Sequence, residues 1–173
     1  MRLPAIVTRH PRLAGTFALA AAGTIVFVLL FFEPQALFID DKVNESLPAA
    51  AAPTQQAADE SPQPRTLGSG SFRGLAHDAS GKALVLDIDG KRYLRFEDLD
   101  VSNGPDLKVY LSPAPASSEE GAFNDAIVDL GELKGNIGDQ NYEIPAGVDL
   151  DRFRSAVVWC KRFGVGFAVA PLA

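Results

Sequence analysis

The chain contains one cysteine, Cys160, and the chemistry available to its thiol makes this residue the first candidate for a functional group. A thiolate can exchange with disulfides or be oxidised to a sulfenic acid. Cys160 follows Trp159 at the end of the apolar run 156–160, and two cations, Lys161 and Arg162, come next. Cations favour the thiolate if they lie close, but in strand register Lys161 points away from the Cys160 face. Two interpretations stay open: a reactive thiol, or a small buried hydrophobe.

His77 is the second candidate, because it is one of only two histidines in the chain and lies outside the apolar N-terminal region. An imidazole there could ligate a metal or haem, or exchange protons with a redox centre. The structural alternative is a side chain at a strand end, hydrogen-bonded to backbone near Ser80 and Gly81. With one cysteine, no zinc-ligand spacing appears, and we predict no metal site.

An acidic segment, residues 98–106, superficially resembles a calcium loop. Its glycine falls one place late, and the twelfth position is Val109 rather than glutamate, so the EF-hand pattern fails. We predict instead an Asx-rich turn that leads into a strand beginning near Leu107. Phosphate-binding and serine-hydrolase motifs are absent as well.

The N-terminal region predicts a membrane anchor. No residue from 13 to 32 is charged, and about 20 helical residues span the roughly 30 Å of bilayer hydrocarbon. Arginines precede this run and acidic residues follow it, which places residues 1–12 in the cytoplasm and the rest in the periplasm or cell exterior. A cleavable signal peptide is the alternative, but the run is long and ends in bulky side chains.

Composition divides the remainder into two parts. Residues 33–68 are rich in Pro, Ala and Gln, which predicts a linker, with a disordered tether over 43–68. Residues 69–173 form one domain, in which eleven Lys and Arg stand against sixteen Asp and Glu, a net charge of −5. An acidic domain without a basic cluster argues against nucleic acid as a partner and against docking on anionic lipid headgroups.

Within this domain, short runs of alternating apolar residues predict an all-β fold. Residues 84–88 and 92–96 alternate on either side of Asp89-Gly90, the pair favoured in a two-residue hairpin turn. Further strands are predicted at 107–111, 156–160 and 166–170, with weaker candidates at 71–76, 126–130 and 140–144. No helical period extends over three turns, so we expect an antiparallel β-sandwich with the last two strands central to its core.

Four segments of the domain together form a recognisable pattern: residues 74–81, 104–112, 130–145 and 157–163, followed by 165–172. In this order and spacing they resemble the DM-thirteen domain, an electron-transfer-associated module of Skeletor-type proteins that also occurs beside DOMON domains. The resemblance covers residues 71–172. It implies a DOMON-like β-sandwich with a role in extracytoplasmic redox chemistry.

The resemblance also implies residue roles. The suspected redox-active cysteine of the family matches Cys160, and the histidine of its Gly-x-x-His segment matches His77. Trp159 and Phe163 would pack around the thiol as supporting residues. Some DOMON relatives bind haem, for which His77 and Cys160 would be the available axial ligands. No DOMON module or transmembrane cytochrome accompanies the domain in this sequence, so the expectation is a redox accessory with a partner protein rather than a stand-alone enzyme.

A hypothesis from a different class needs none of this chemistry. A non-catalytic adhesion or interaction domain at the cell surface requires only the acidic sandwich, the linker and the anchor, with Cys160 as a packing residue. The two hypotheses differ in whether the thiol can be reached in the native protein.

Overall fold

A computed structural model describes residues 11–32, 39–48 and 64–172. Its one long helix, α1, spans Pro11–Phe32, and the rest is β-structure with short connections. Over Arg12–Phe31, α1 is the single described helix that is long and apolar enough to cross a membrane. Its 22 residues correspond to about 33 Å of helix, which matches the hydrocarbon thickness of a bilayer.

Ten strands are described. They are β1 (Lys42–Asn44), β2 (Arg65–Ser71), β3 (Arg73–Gly74), β4 (Ala79–Ile88), β5 (Lys91–Val101), β6 (Leu107–Ser112), β7 (Val128–Glu132), β8 (Ile137–Ile144), β9 (Ser155–Cys160) and β10 (Val165–Pro171). Two 3-10 helices, Glu120–Asn124 and Leu150–Arg152, lie in the connections.

The strands form two sheets. The first has the order β1-β8-β5-β4-β2 and the second the order β3-β10-β9-β6-β7. Every pairing is antiparallel except that of β1 with β8. Apolar side chains from both sheets share one buried cluster, in which Phe96 and Tyr142 of the first sheet meet Val158 and Phe167 of the second. The predicted all-β sandwich is confirmed.

The β4–β5 hairpin follows the predicted turn. Ile88 pairs with Lys91, which leaves Asp89 and Gly90 as a two-residue loop. Both loop residues have positive φ, 53° and 75°, the conformation that Gly adopts freely and Asp tolerates. The side chain of Asp87 accepts a hydrogen bond from the Gly90 amide at 3.1 Å and reinforces the turn.

The β9–β10 hairpin is central to the second sheet, as predicted. All six residues of β9 are buried, and β9 lies between β10 and β6. Ala156, Val158 and Cys160 contribute to the core between the sheets, whereas Val157 and Trp159 face outward. This division is the one that strand register predicts. The outward face is covered by the connection after β6, which places Phe123 of the 3-10 helix against it.

The structure differs from the predicted tether at both of its ends. Residues 42–44 form β1, and residues 65–68 belong to β2, so both ends are part of the first sheet. Backbone pairing explains the difference, since β1 and β2 have few large apolar side chains and add to the sheet edges through main-chain hydrogen bonds. The central residues of the predicted tether, 49–63, lie outside the described residues, as do 33–38 of the linker.

The weaker strand candidates are confirmed with shifted bounds. The candidate at 71–76 is divided between the end of β2 and the short β3, while those at 126–130 and 140–144 correspond to β7 and β8. A positive φ of 50° at Ala126 delays the start of β7 to Val128.

Candidate functional site

Cys160 lies at the end of β9, in the core between the two sheets. Its exposed fraction is 0%, and it is the one free cysteine of the described chain. The thiol Sγ donates a hydrogen bond to the carbonyl oxygen of Pro105 at 3.0 Å. The backbone around it is also paired, since Lys161 donates its amide to the Asp106 carbonyl at 3.0 Å. The thiol is therefore closed off in this state, and the cover over it is the loop before β6.

This covering loop consists of residues 102–106 and has the predicted Asx character. The side-chain oxygen of Asn103 accepts a hydrogen bond from the Gly104 amide at 2.8 Å, and Asp106 has a positive φ of 61°. A Cβ atom added at Gly104 would lie 2.9 Å from Cζ of Phe167, closer than side chains normally approach. Glycine therefore allows the loop to pack directly against the Phe167 ring.

His77 packs against the same aromatic ring. Its imidazole and the Phe167 ring have centroids 4.3 Å apart at a tilt of 38°. The preceding backbone is fixed to β10, because Leu75 and Ala76 donate their amides to the carbonyls of Phe167 and Gly166. Within the described chain no hydrogen bond holds the imidazole to backbone near Ser80. His77 is half-buried by ring stacking instead.

The structure therefore brings Cys160 and His77 to one end of the sandwich, but not into contact. The link runs from His77 to Phe167, from Phe167 to Gly104, and from Pro105 to the Cys160 thiol. A β-bulge in β10 produces the aromatic part of this link, since Gly166 pairs with Trp159 and Ala168 with Val158 while Phe167 is the extra residue.

The two supporting residues predicted around the thiol lie elsewhere. Trp159 is buried on the outer face of the second sheet, in the cluster with Phe123 and Tyr110. Phe163 lies in the β9–β10 turn and is 48% exposed. Alternation along β9 explains the first result, because neighbouring residues of a strand point to opposite faces.

Sequence reasoning did not single out Glu120, whose side chain binds the backbone of the bulge. Its carboxylate accepts a hydrogen bond from the Gly166 amide at 2.5 Å. Gly166 has no side chain, and a Cβ there would meet Leu75 and Glu120. The signal available in the sequence is the Gly-Phe pair inside an otherwise continuous apolar strand, which is typical of a bulge.

A second set of residues that sequence reasoning missed fixes β1 to the first sheet. Arg95, only 5% exposed, donates to Asp139 at 2.6 Å, to Glu97 at 2.8 Å and to the Glu45 carbonyl at 3.1 Å. The Glu45 carboxylate in turn accepts hydrogen bonds from Lys134 Nζ at 2.7 Å and from the Asn141 amide at 2.8 Å.

These contacts change the pKa of the Glu45 carboxyl group. Partial burial alone would raise the pKa of Glu45, but the hydrogen bonds from Lys134 and Asn141 outweigh it and hold the pKa below its ordinary value. Beneath this network, burial raises the pKa of the Tyr142 hydroxyl above its usual range. Tyr142 stays neutral and donates to the side-chain oxygen of Gln140 at 2.6 Å.

No cluster of three or more His, Cys, Asp or Glu side chains among residues 11–32, 39–48 and 64–172 is arranged to hold a metal ion. Haem does not fit the residues proposed for it either. His77 lines a shallow surface depression with Asp78 and Ser102, whereas Cys160 is fully buried and engaged with Pro105. The two side chains therefore do not offer a common site for an iron centre.

A comparison with protein families identifies the family to which the sandwich belongs. The family model described as electron transfer DM13 matches residues 71–172, more than half of the chain. The chain belongs to the DM13 family. No curated protein and no solved structure matches it.

The DM13 match includes Cys160, His77, the covering loop and the bulge of β10. It begins at the last residue of β2, so most of β2 and all of β1 lie before it. Strand β1, which follows α1 in the chain, therefore pairs with the first sheet although it lies outside the matched region. The description of the family, electron transfer, suggests a redox-related role for the chain.

Proposed function

We propose that this DM13 protein is a single-pass membrane protein whose sandwich serves extracytoplasmic electron transfer together with a redox partner protein. The family description supports the redox role, and the length and composition of α1 support the anchor. The arginines before α1 favour a cytoplasmic N-terminus, which puts the domain in the periplasm or cell exterior. In domain terms, residues 13–32 cross the membrane and 69–173 carry the redox function.

Cys160 is the group to which we assign this function. The observation that carries the assignment is its place at the end of β9, where its thiol is hydrogen-bonded to Pro105 of the five-residue loop 102–106. Movement of residues 102–106 would break the bond to Pro105 and release the sulfur. After deprotonation, the thiolate would attack a partner disulfide, forming one mixed S–S bond and expelling the second partner sulfur as a thiolate.

His77 would assist this step from the same end of the sandwich. Its ring is half-buried and packs against the Phe167 ring, which the loop also contacts. Once the loop moves, the His77 imidazole, the one histidine side chain among the described residues, would accept the thiol proton. Trp159 and Phe163 would act indirectly, by fixing β9 and the turn that follows it.

The test is mixed-disulfide formation with oxidised glutathione, a small disulfide that needs no specific partner. We expect the native full-length protein to gain one glutathione at Cys160, seen as a mass increase that dithiothreitol reverses, and Cys160→Ser to gain none. Serine can donate to the Pro105 carbonyl in place of the thiol, so this variant should keep its fold. Modification only in denaturant would contradict the proposal.

The alternative is a non-catalytic interaction domain in which Cys160 is a core residue. The complete burial of the thiol and its hydrogen bond favour this second function. The same glutathione experiment separates the two, because a purely structural thiol reacts only when the sandwich unfolds. In either function we propose an accessory module rather than a stand-alone enzyme.

A further inference from the structure

The way in which β1 joins the sandwich fixes the distance between the domain and α1. Helix α1 ends at Phe32, and the first described residue of the next segment, Ile39, already contacts the domain through its carbonyl, which accepts from Asn103 at 2.8 Å. Six residues, 33–38, lie between them. Even fully extended, seven peptide steps reach about 25 Å. The long predicted linker therefore does not set the spacing, because the chain enters the sandwich before it reaches residues 49–63.

The contacts of residues 39–41 show which end of the sandwich is closest to α1. The Asp41 amide donates to the Asn136 side chain at 2.7 Å, and Asn136 donates to Asp40 at 3.0 Å. Asn136 also donates to the carbonyl of Val101, the last residue of β5. Asn103, whose side-chain amide donates to the Ile39 carbonyl, belongs to the loop that covers Cys160. The chain thus enters at the end of the sandwich that carries the covering loop.

The β9–β10 turn lies at this end as well, and it contacts α1. The Arg162 guanidinium lies 5.5 Å from the centroid of the Phe31 ring and donates a hydrogen bond to the Phe31 carbonyl. The turn combines two cations, Lys161 and Arg162, with the exposed Phe163. An aromatic ring beside basic side chains is the composition that favours the headgroup region of a bilayer.

Three acidic side chains at this end have partners within the domain, but only Asp106 among them pairs with a cation, so Asp40 and Asp41 keep their negative charge. Asp106 forms an ion pair with Lys108 at 3.1 Å, and Asp40 and Asp41 accept hydrogen bonds from Asn136 and Asn103. The domain is acidic overall, but the part nearest to α1 is a basic and aromatic turn. Cations near an anionic lipid surface are attracted to it.

We propose that the sandwich is held upright on the bilayer, with the β9–β10 turn in the headgroup region and the covered end of Cys160 directed at the membrane surface. The interaction surface is residues 161–163, and its partner is the lipid bilayer into which α1 inserts. This orientation rests on the anchor of the proposed function, but not on the redox role of Cys160. It restricts the partners that can reach the thiol to those at or within the membrane.

Site-directed spin labelling of the full-length protein in phosphatidylcholine and phosphatidylglycerol vesicles tests the orientation. One label replaces Phe163 (Phe163→Cys), and a matched control replaces the exposed Lys91 at the opposite, β4–β5 end (Lys91→Cys), both in a Cys160→Ala background. We expect the label at 163 to be several-fold less accessible to a water-soluble nickel relaxant and more accessible to oxygen than the label at 91.

The outcomes separate the orientation from the anchor. Equal, water-like accessibility of both labels in protein that floats with the vesicles would overturn the orientation and leave the anchor intact. Protein that does not float with the vesicles would overturn both. Should the Cys160→Ala background unfold, the same labels in a Cys160→Ser background give the same comparison, because serine keeps a donor for Pro105.

Discussion

At the scale of single residues, the state of Cys160 depends on Gly104 and Pro105. The Pro105 carbonyl accepts the thiol hydrogen bond, while Gly104 lets the loop pack against Phe167 without a steric conflict. Neither residue offers chemistry of its own. They determine how readily the loop leaves the thiol, and therefore how often a buried sulfur becomes available.

Gly104→Ala should loosen this loop. The added methyl group would lie 2.9 Å from Phe167, so the loop or the ring must move, at a cost of about 1–2 kcal/mol in the free energy of unfolding. We expect the labelling rate of Cys160 by a maleimide to rise several-fold in the native protein. Gly121→Ala is the matched control, because a Cβ there meets no atom within 4 Å. Equal labelling rates in the two variants would show that the loop does not limit access to the thiol.

A second prediction at this scale concerns Arg95. Replacing it by methionine keeps the aliphatic volume but leaves Asp139 and Glu97 without their cation. Since Arg95 is buried, we expect a loss of about 3 kcal/mol in the free energy of unfolding, measured by urea denaturation. Lys91→Met on the exposed β4–β5 turn should cost less than about 0.5 kcal/mol. A loss at Arg95 as small as that at Lys91 would mean that the network contributes little.

At the scale of elements, β1 is the feature that joins the sandwich to α1. It is only three residues long, it pairs in parallel with β8, and side-chain clamps at both of its ends supply much of its attachment. A glycine in β8, Gly138, makes the pairing possible, since its Cα lies directly under the Val43 backbone.

Gly138→Ala should release β1. An added Cβ would collide with the Val43 carbonyl oxygen, and the residue has a φ of +104°. Gly131 is a matched control, because its φ is +107° but no atom lies within 4 Å of an added Cβ. Both variants carry the backbone strain, about 1 kcal/mol, but only the first breaks the pairing. Hydrogen–deuterium exchange of residues 42–45 should accelerate in Gly138→Ala alone. Equal exchange in both variants would contradict the assigned role of β1.

The attachment of β1 should also depend on pH. The pKa of Glu45 is lower in the folded protein than its ordinary value of 4.5, so its stabilising effect is fully present above that value. It is lost as the pH falls through the folded pKa, when the carboxylate that binds Lys134 becomes protonated. We expect the protection of the amides of residues 42–45, taken relative to the intrinsic exchange rate at each pH, to decrease below about pH 4.5 in the wild type. In Glu45→Gln, this protection should be lower at neutral pH and less dependent on pH; an unchanged acid response there would exclude Glu45 as the cause.

The elements differ in how far a single sequence determines them. The β4–β5 hairpin was predictable because Asp89-Gly90 lies between alternating strands, and β9 and β10 were predictable from their continuous apolar runs. The parallel pairing of Lys42–Asn44 with β8 was not, because it joins residues about 95 positions apart and depends on a glycine in the partner strand. Alternation placed Cys160 on one face with Ala156 and Val158, but neither the inward direction of that face nor the loop at Cys160 followed from the sequence.

At the scale of the whole molecule, the Ala- and Pro-rich residues 49–63 connect two strands of one sheet instead of preceding the domain. With α1 as the proposed anchor, the length of residues 33–38 alone limits the distance between the sandwich and the bilayer. This limit is shorter than the long flexible reach that composition suggested.

Two insertions distinguish these segments. Adding a Gly-Ser stretch within residues 49–63 should leave a spin label at Phe163→Cys in the headgroup region, because the strands at both ends of the segment stay paired. The same insertion within residues 33–38 should increase the accessibility of that label to the water-soluble relaxant. The loop insertion should also cost little stability, because closure entropy grows slowly with length. Equal effects of the two insertions would contradict the assignment of residues 33–38 as the spacer.

The central claim is that Cys160 becomes reactive through local opening of the loop at residues 102–106 while the sandwich stays folded. The most direct measurement is the maleimide labelling rate of Cys160 in the native full-length protein, compared with the global unfolding rate under the same conditions. We predict that labelling is faster than global unfolding and that low concentrations of urea change it little, as expected for an opening that exposes a small surface. Labelling that occurs only at the rate of global unfolding, with the full dependence on urea, would contradict the account and leave Cys160 as a core residue of an interaction domain.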